Sequence, residues 1–313
     1  MTSKLTLSLF LFIFSFTLHA QLKWSPAHDS LTRGLPASVK LFYTNDSLDG
    51  KPFLAYYLEA DLKDQSLNFT TQVGNGKRFT PFQYYQAENK PLVVVNGTFF
   101  SFSTNQNLNI VMKDGKMKAY NVTALKGPKT DSTKLYYVTR GAIGINHKRE
   151  PDVAWIFNDS SKRYPYAFED SPVVARGLAP KPKLKNLNRF DYDKWKMETA
   201  IGGGPVLIHN GNIRITNKQE QMQVNGQEKH PRTAMGYTSG GKLIILVIQG
   251  RFPGIADGAS LIQEAKVLHD LGCYEALNLD GGGSSCMIVN GKETIKPSDK
   301  TGERPVPAVF IIR

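Results

Sequence analysis

The sequence predicts an α+β fold of mixed, mostly antiparallel β-sheets with few helices, gathered into a single main domain. Three observations carry that expectation. Asn-Gly or Asp-Gly pairs recur between apolar runs, at Asp114-Gly115, Asn210-Gly211 and Asn290-Gly291. Such pairs accept the positive φ that a two-residue hairpin turn demands. Only one segment, near residues 260–272, carries a clear helical period. Finally, Gly-rich or polar segments follow strand-like runs at several places, where loops gather into sites.

The elements follow in chain order. Residues 1–20 have the layout of a cleaved secretory signal: Lys4, an apolar run from Leu5 to Leu18, then Leu18-His19-Ala20 before Gln21. The run is short for a bilayer span, although an uncleaved anchor would use the same residues. No later stretch is long and apolar enough to span a membrane. Location is therefore expected to be secreted or periplasmic, with no stable membrane insertion after cleavage. Residues 21–90 read as a strand-rich N-terminal extension packed on the main domain, with strands at Lys40–Tyr43 and Leu54–Leu62, and residues 91–313 read as that domain. Pro180–Trp195, rich in Pro, Lys and Asn, reads as a surface loop or insertion. Asn210-Gly211 joins Pro205–His209 to Asn212–Thr216. Ser239-Gly240-Gly241-Lys242 links Thr233–Thr238 to Leu243–Gln249, and Asn290-Gly291 joins Cys286–Val289 to Lys292–Ile295.

The helix begins at Ser260, an N-cap with Gln263 three residues on, as in a capping box. Leu261, Ile262, Ala265, Leu268 and Leu271 keep an apolar face, and Gly272 supplies the stop. Tyr274–Leu279 then reads as a strand. Alternation gives Asn278 and Asp280 one direction if the strand extends that far.

Composition bounds the function. The chain carries 39 Lys and Arg against 27 Asp and Glu, a net charge of +12. The basic residues are scattered, with a modest cluster at Lys181, Lys183, Lys185 and Arg189, and no nucleic-acid motif accompanies them. No nucleic-acid partner is expected; attraction to anionic glycans or phosphates fits the charge. Cys273 and Cys286 are the two cysteines. An exported protein could join them, or bury them as small thiols; geometry decides. No Cys/His group has zinc spacing.

The segment Asn278-Leu279-Asp280-Gly281-Gly282-Gly283-Ser284-Ser285 is the strongest local signal. Glycine loses more backbone entropy on folding than any other residue. Three in a row are tolerated where the chain turns tightly or approaches a ligand. An acid before them and hydroxyls after them suit a site for an anionic or sugar-like group. Other glycine-marked segments are Asn96-Gly97-Thr98-Phe99-Phe100, Gly202-Gly203-Gly204-Pro205-Val206-Leu207 and His230-Pro231-Arg232-Thr233-Ala234-Met235-Gly236; Gln249-Gly250-Arg251 precedes the helix.

Together with Glu303-Arg304-Pro305-Val306, these segments resemble the phosphodiester glycosidase family, in order, from about Pro91 to the C-terminus. Residues 21–90 and 150–195 carry little of the resemblance. It implies a hydrolase that releases a sugar from a glycosyl 1-phosphodiester. Cleavage at the anomeric carbon develops oxocarbenium character, which a carboxylate stabilises or attacks. The departing phosphate needs its charge held rather than a strong acid.

On that basis Asp280 is the candidate nucleophile or base, and Arg232 the candidate phosphate clamp. Asp280 equally fits a turn-initiating cap, and Arg232 a surface arginine. Gly281, Gly282, Gly283, Ser284 and Ser285 offer backbone and hydroxyl donors, as a nest does. Asn96, Thr98, Phe99, Gly204, Thr233 and Asn278 complete the substrate-binding set. Phe99 and Phe100 suit sugar stacking or core packing alike. A second carboxylate would come from Glu198, Asp257, Glu264 or Glu303, with Glu264 read as solvated and Glu303 as a partner for Arg304. His209, His230 and His269 read as structural. No cofactor is certain from the residues; Asp280, Asn278 and backbone carbonyls are hard oxygens that suit a divalent cation such as calcium, though no contiguous calcium-loop motif accompanies them. Two other readings use the same residues: a non-catalytic glycan-, cell-wall- or exopolysaccharide-binding protein, and hydrolysis at phosphorus, for which no two-metal array of His and Asp is evident.

Overall fold

A computed structural model of the chain describes residues 21–127, 131, 133–177 and 192–313. The signal-like residues 1–20 and the basic cluster at Lys181–Arg189 lie outside the described residues. The expected hairpins form. Asp114 and Gly115 have φ of 53° and 67°, Asn210 and Gly211 51° and 74°, Asn290 and Gly291 50° and 76°. Both turn residues are left-handed in each case, so the turn's twist matches that of the flanking strands.

The largest sheet has eight strands, in the order Ser25–Pro26, Val39–Thr44, Ala55–Asp61, Lys242–Ile248, Arg232–Thr238, Cys273–Asn278, Val206–His209 and Asn212–Ile213. A seven-stranded sheet centres on Arg140–Ile145 and Thr199–Gly202, and a five-stranded sheet on Val93–Asn96 and Ala308–Ile312. The pairings within them are antiparallel. Val39–Thr44 and Ala55–Asp61 lie in the same sheet as the glycine-marked strands, and Phe69–Val73 pairs with Ala308–Ile312.

In Lys242–Ile248 every position after Lys242 is apolar rather than alternating, and the packing shows why. Leu243, Ile245 and Val247 enter the central core with Met235, Leu277, Val95 and Phe310. Ile244, Leu246 and Ile248 meet the helix through Leu261, Ala265 and Leu268. The sheet is therefore buried on both faces. That helix spans Leu261–Asp270, with the Ser260–Gln263 capping box complete and Gly272 at φ 81°. A second helix, Pro81–Ala87, was not expected. Its capping box, Thr80 with Gln83 and Pro81 at the first turn, is legible in the sequence, and it seals the outer face of the five-stranded sheet through Tyr84.

One further expectation is corrected, and the open question of the cysteines is decided. Of Pro180–Trp195, the described end is not loop: Asp193–Lys194 pairs with Tyr166–Phe168, and Trp195 is buried, donating to Asp152 at 2.5 Å. The two cysteines are free and buried in different clusters, Cys273 under the Leu261–Asp270 helix and Cys286 under Pro81–Ala87. No helix among the described residues is long and apolar enough to cross a membrane.

Candidate active site

The glycine-marked segments converge on the turn after Cys273–Asn278. Asp280 donates its N–H to Gly97 O at 2.9 Å, Leu279 to Thr233 O at 2.8 Å, and Gly282 to Pro231 O at 2.8 Å. Gly204 donates to Asn278 O at 2.7 Å, and the Asn278 amide returns a bond to Gly204 O at 2.7 Å. Asn96 ties three of these segments together. Its Nδ2 donates to Asp280 O at 2.6 Å, and its Oδ1 accepts from Thr233 Oγ1 at 2.9 Å and Cys286 N at 3.0 Å. Asn96 is wholly buried, so it acts on the site by holding the backbone of Asp280 rather than by facing solvent.

Each glycine of the triplet has its own steric reason. A Cβ on Gly281 would stand 2.8 Å from Pro231 O. Gly282 has φ 61° and lies under the Arg251 guanidinium, with Nη2 3.0 Å from a Cβ built there. A Cβ on Gly283 would stand 2.2 Å from Arg304 Nη2. Two arginines therefore lie directly on the turn, and only glycine lets them in. The backbone donors are largely spent inside: besides Gly282, Ser284 donates to Gly281 O and Ser285 to Gly282 O, both at 3.2 Å. Gly282–Ser284 form one 3₁₀ turn.

Strand pairing ends at Asn278, so Asp280 lies beyond the alternation that would align the two side chains. The Asp280 carboxylate instead accepts from the Ser284 hydroxyl and the Gly281 N–H, and Arg304 acts on its charge. These three favour the ionised form, but burial outweighs them and pushes the carboxyl up to about 7. Asp280 retains partial exposure, so it can meet a ligand. Asn278 Oδ1 and Ser285 Oγ are buried without a protein partner.

Arg304 is oriented by Asp299, Nε to Oδ2 at 2.6 Å, and its Nη1 makes a long 3.4 Å contact with Ser284 Oγ. Its Cζ stands 5.3 Å from the Phe102 ring centroid. Arg251 is exposed and held by a 3.4 Å contact with His230 Nδ1. Arg232, the arginine singled out by sequence, is sunk beneath the turn with 4 % of its surface exposed. Its Nε donates to Ala259 O at 2.9 Å and its Nη2 to Glu228 O at 3.0 Å. In the sequence Arg304 lies in a segment matching the family and Arg251 precedes the glycine-rich segment, and neither is assigned a role there; the glycine each one covers is legible only in space.

The remaining expected residues are placed as follows. Thr98 is buried and donates to Asn107 Oδ1 at 2.5 Å, and the partly buried Phe99 donates its N–H to Asn109 Oδ1 at 3.2 Å. Phe100 enters the core, whereas Phe102 is 63 % exposed. Glu264 is not solvated: it is fully buried, neither oxygen has a hydrogen-bond partner, and burial pushes it up to about 8 against the pull of Arg232. Glu303 does not pair with Arg304; it accepts from Phe82 N at 2.7 Å at the start of the Pro81–Ala87 helix. Glu198 is exposed beside the Asp114-Gly115 hairpin, and Asp257 donates its N–H to Pro52 O. Of the carboxylates weighed, Asp280 is the one on the turn. His209 lies 3.0 Å from Glu275 and packs on Trp155, in the core. Among the described residues no three His, Cys, Asp or Glu side chains cluster as a metal-ligand group.

Residues 89–313 match the sequence profile of the phosphodiester glycosidase family. The mouse N-acetylglucosamine-1-phosphodiester alpha-N-acetylglucosaminidase is 34 % identical over 217 residues, covering 66 % of this chain and 33 % of the mouse protein. The human protein of the same name is 31 % identical over 109 residues, covering 32 % of this chain and 21 % of its own. The chain thus spans a third or less of these relatives' length. Among solved structures, the zebrafish catalytic domain of that enzyme, auto-inhibited by its pro-peptide, superposes with TM-score 0.57 at 21 % identity, over 94 % of this chain and 88 % of its own. A hypothetical protein from Synechocystis superposes with TM-score 0.60 at 13 % identity, over 88 % and 62 %. These likenesses establish a shared fold.

Proposed function

Because the chain belongs to the phosphodiester glycosidase family, we propose that it is an exported hydrolase releasing a sugar from a glycosyl 1-phosphodiester. The observation that carries this reading is one carboxylate, Asp280, beside two guanidinium groups laid on a glycine turn. In this scheme Arg304 and Arg251 hold the phosphodiester charge, which grows on the bridging oxygen as the anomeric C–O bond lengthens. Ionised Asp280 stabilises or captures the oxocarbenium centre. Water supplies the new sugar hydroxyl, the phosphate monoester leaves with the former bridging oxygen, and its low basicity spares the site a strong acid. Ser284 orients Asp280, and Asn96 holds its backbone. The signal-like residues 1–20 support export.

Hydrolysis in oxygen-18 water tests the reading. Label is expected in the released sugar, and Asp280→Asn is expected to lose activity by about a hundredfold or more while remaining folded. Label in the phosphate product, or full turnover by the Asn variant, would overturn it.

A further inference from the structure

We infer that the site continues past the leaving phosphate into an aglycone subsite formed by Phe102 and Arg78, which takes a sugar ring bearing a further negative charge. The inference rests on the glycosidase reading above and names the substrate class of that same site: a phosphate-linked glycan with charge beyond the scissile diester.

A chain of contacts leads from Asp280 to this surface. Asp280 and Ser284 lie at one end, and Arg304 contacts Ser284 and covers Gly283. Arg304 in turn contacts Phe102, its Cζ 5.3 Å from the ring centroid. Arg78 contacts the same ring, its Cζ 5.4 Å from the Phe102 centroid and 5.1 Å from that of Phe100. With the anomeric carbon at Asp280 and the phosphate on Arg304, the aglycone falls on Phe102.

Two features mark this as a prepared surface. Phe102 is 63 % exposed, yet its loop is braced. Ser101 N donates to Gln106 O and Asn105 N to Ser101 O, both at 2.9 Å, and Asn105 reaches Gly76 O across to the neighbouring turn at 3.4 Å. An exposed ring on a rigid loop offers a stacking face without an ordering cost on binding. Arg78 has cation–π contacts but no hydrogen bond or ion pair among the described residues, whereas Arg304 has Asp299. A partly buried guanidinium with its donors unspent, next to a stacking face, suits a charged sugar.

The test compares two esters of one glycosyl 1-phosphate, one with a methyl aglycone and one with a hexose bearing a phosphomonoester. Wild type is expected to favour the charged hexose ester in kcat/KM. Arg78→Ala and Phe102→Ala are each expected to cut that preference about tenfold, mainly through KM, with Tm held near wild type. Preference unchanged in both variants, or no preference in wild type, would overturn the subsite. If wild type releases sugar from neither ester, the glycosidase reading fails instead. Equilibrium binding of hexose phosphate then decides the subsite: weaker binding to Arg78→Ala supports it, and equal binding refutes it.

Discussion

Arg232 and Arg304 divide a role that sequence reasoning placed on one residue. Both follow a polar turn and adjoin a proline, and nothing local separates them. In the fold, Arg232 spends its donors on the Ala259 and Glu228 carbonyls, whereas Arg304 lies on Gly283 beside Asp280. Their alanine variants should therefore fail differently. On the proposed function, Arg304→Ala is expected to lower kcat/KM by about a hundredfold with a small change in Tm, because it removes the charge assigned to hold the phosphate. Arg232→Ala removes two hydrogen bonds, although Ala259 O keeps the His230 N–H, and leaves buried Glu264 without its cation, at a cost of about 1–3 kcal/mol. Thermal melts alongside steady-state kinetics separate the two; a stable Arg232→Ala with selectively lost turnover would restore the clamp role to Arg232.

The glycine turn acts as an element because its backbone is tied to three other segments, at Asn96–Gly97, Gly204–Pro205 and Pro231–Thr233. Asn96 bonds to Asp280 O, Thr233 Oγ1 and Cys286 N, and the ends of the Val93–Asn96 and Cys273–Asn278 strands deliver it and Asp280 to one place. The triplet was legible as a costly turn beside an acid. What each glycine admits was not, since Pro231, Arg251 and Arg304 arrive from elsewhere in the sequence. Gly283→Ala is expected to push the Arg304 guanidinium off the turn, since a Cβ there would sit 2.2 Å from Nη2. The long arginine can swing away, so stability should change by less than about 1 kcal/mol while kcat/KM approaches that of Arg304→Ala. Retained activity would show that Arg304 need not rest on the glycine.

At the scale of the molecule, burial has raised several carboxyls at once: Asp152 to about 6, Asp280 to about 7 and Glu264 to about 8. Each binds its proton more tightly folded than unfolded, so unfolding releases protons, and stability falls as pH rises from about 4 to 8. The depressed acids Asp61, Asp131 and Asp299 contribute above their unfolded pKa and leave that window unaffected. The urea midpoint is therefore expected to drop between pH 5 and 8.5, and Glu264→Gln to flatten the drop by on the order of 2–3 kcal/mol. A midpoint constant across that range would mean that Glu264 is ionised and paired. The sequence by itself determined the antiparallel hairpins, the Ser260-capped helix and Asp280 on a glycine turn, because turn chemistry, capping and periodicity act between residues a few positions apart. Tertiary structure alone decided that Glu264 is buried, that the cysteines stay apart, and that the Arg251 and Arg304 guanidinium groups cover the turn while that of Arg232 bonds to backbone carbonyls. Those outcomes depend on which distant strands pair and how much water each side chain loses, and no local pattern encodes either.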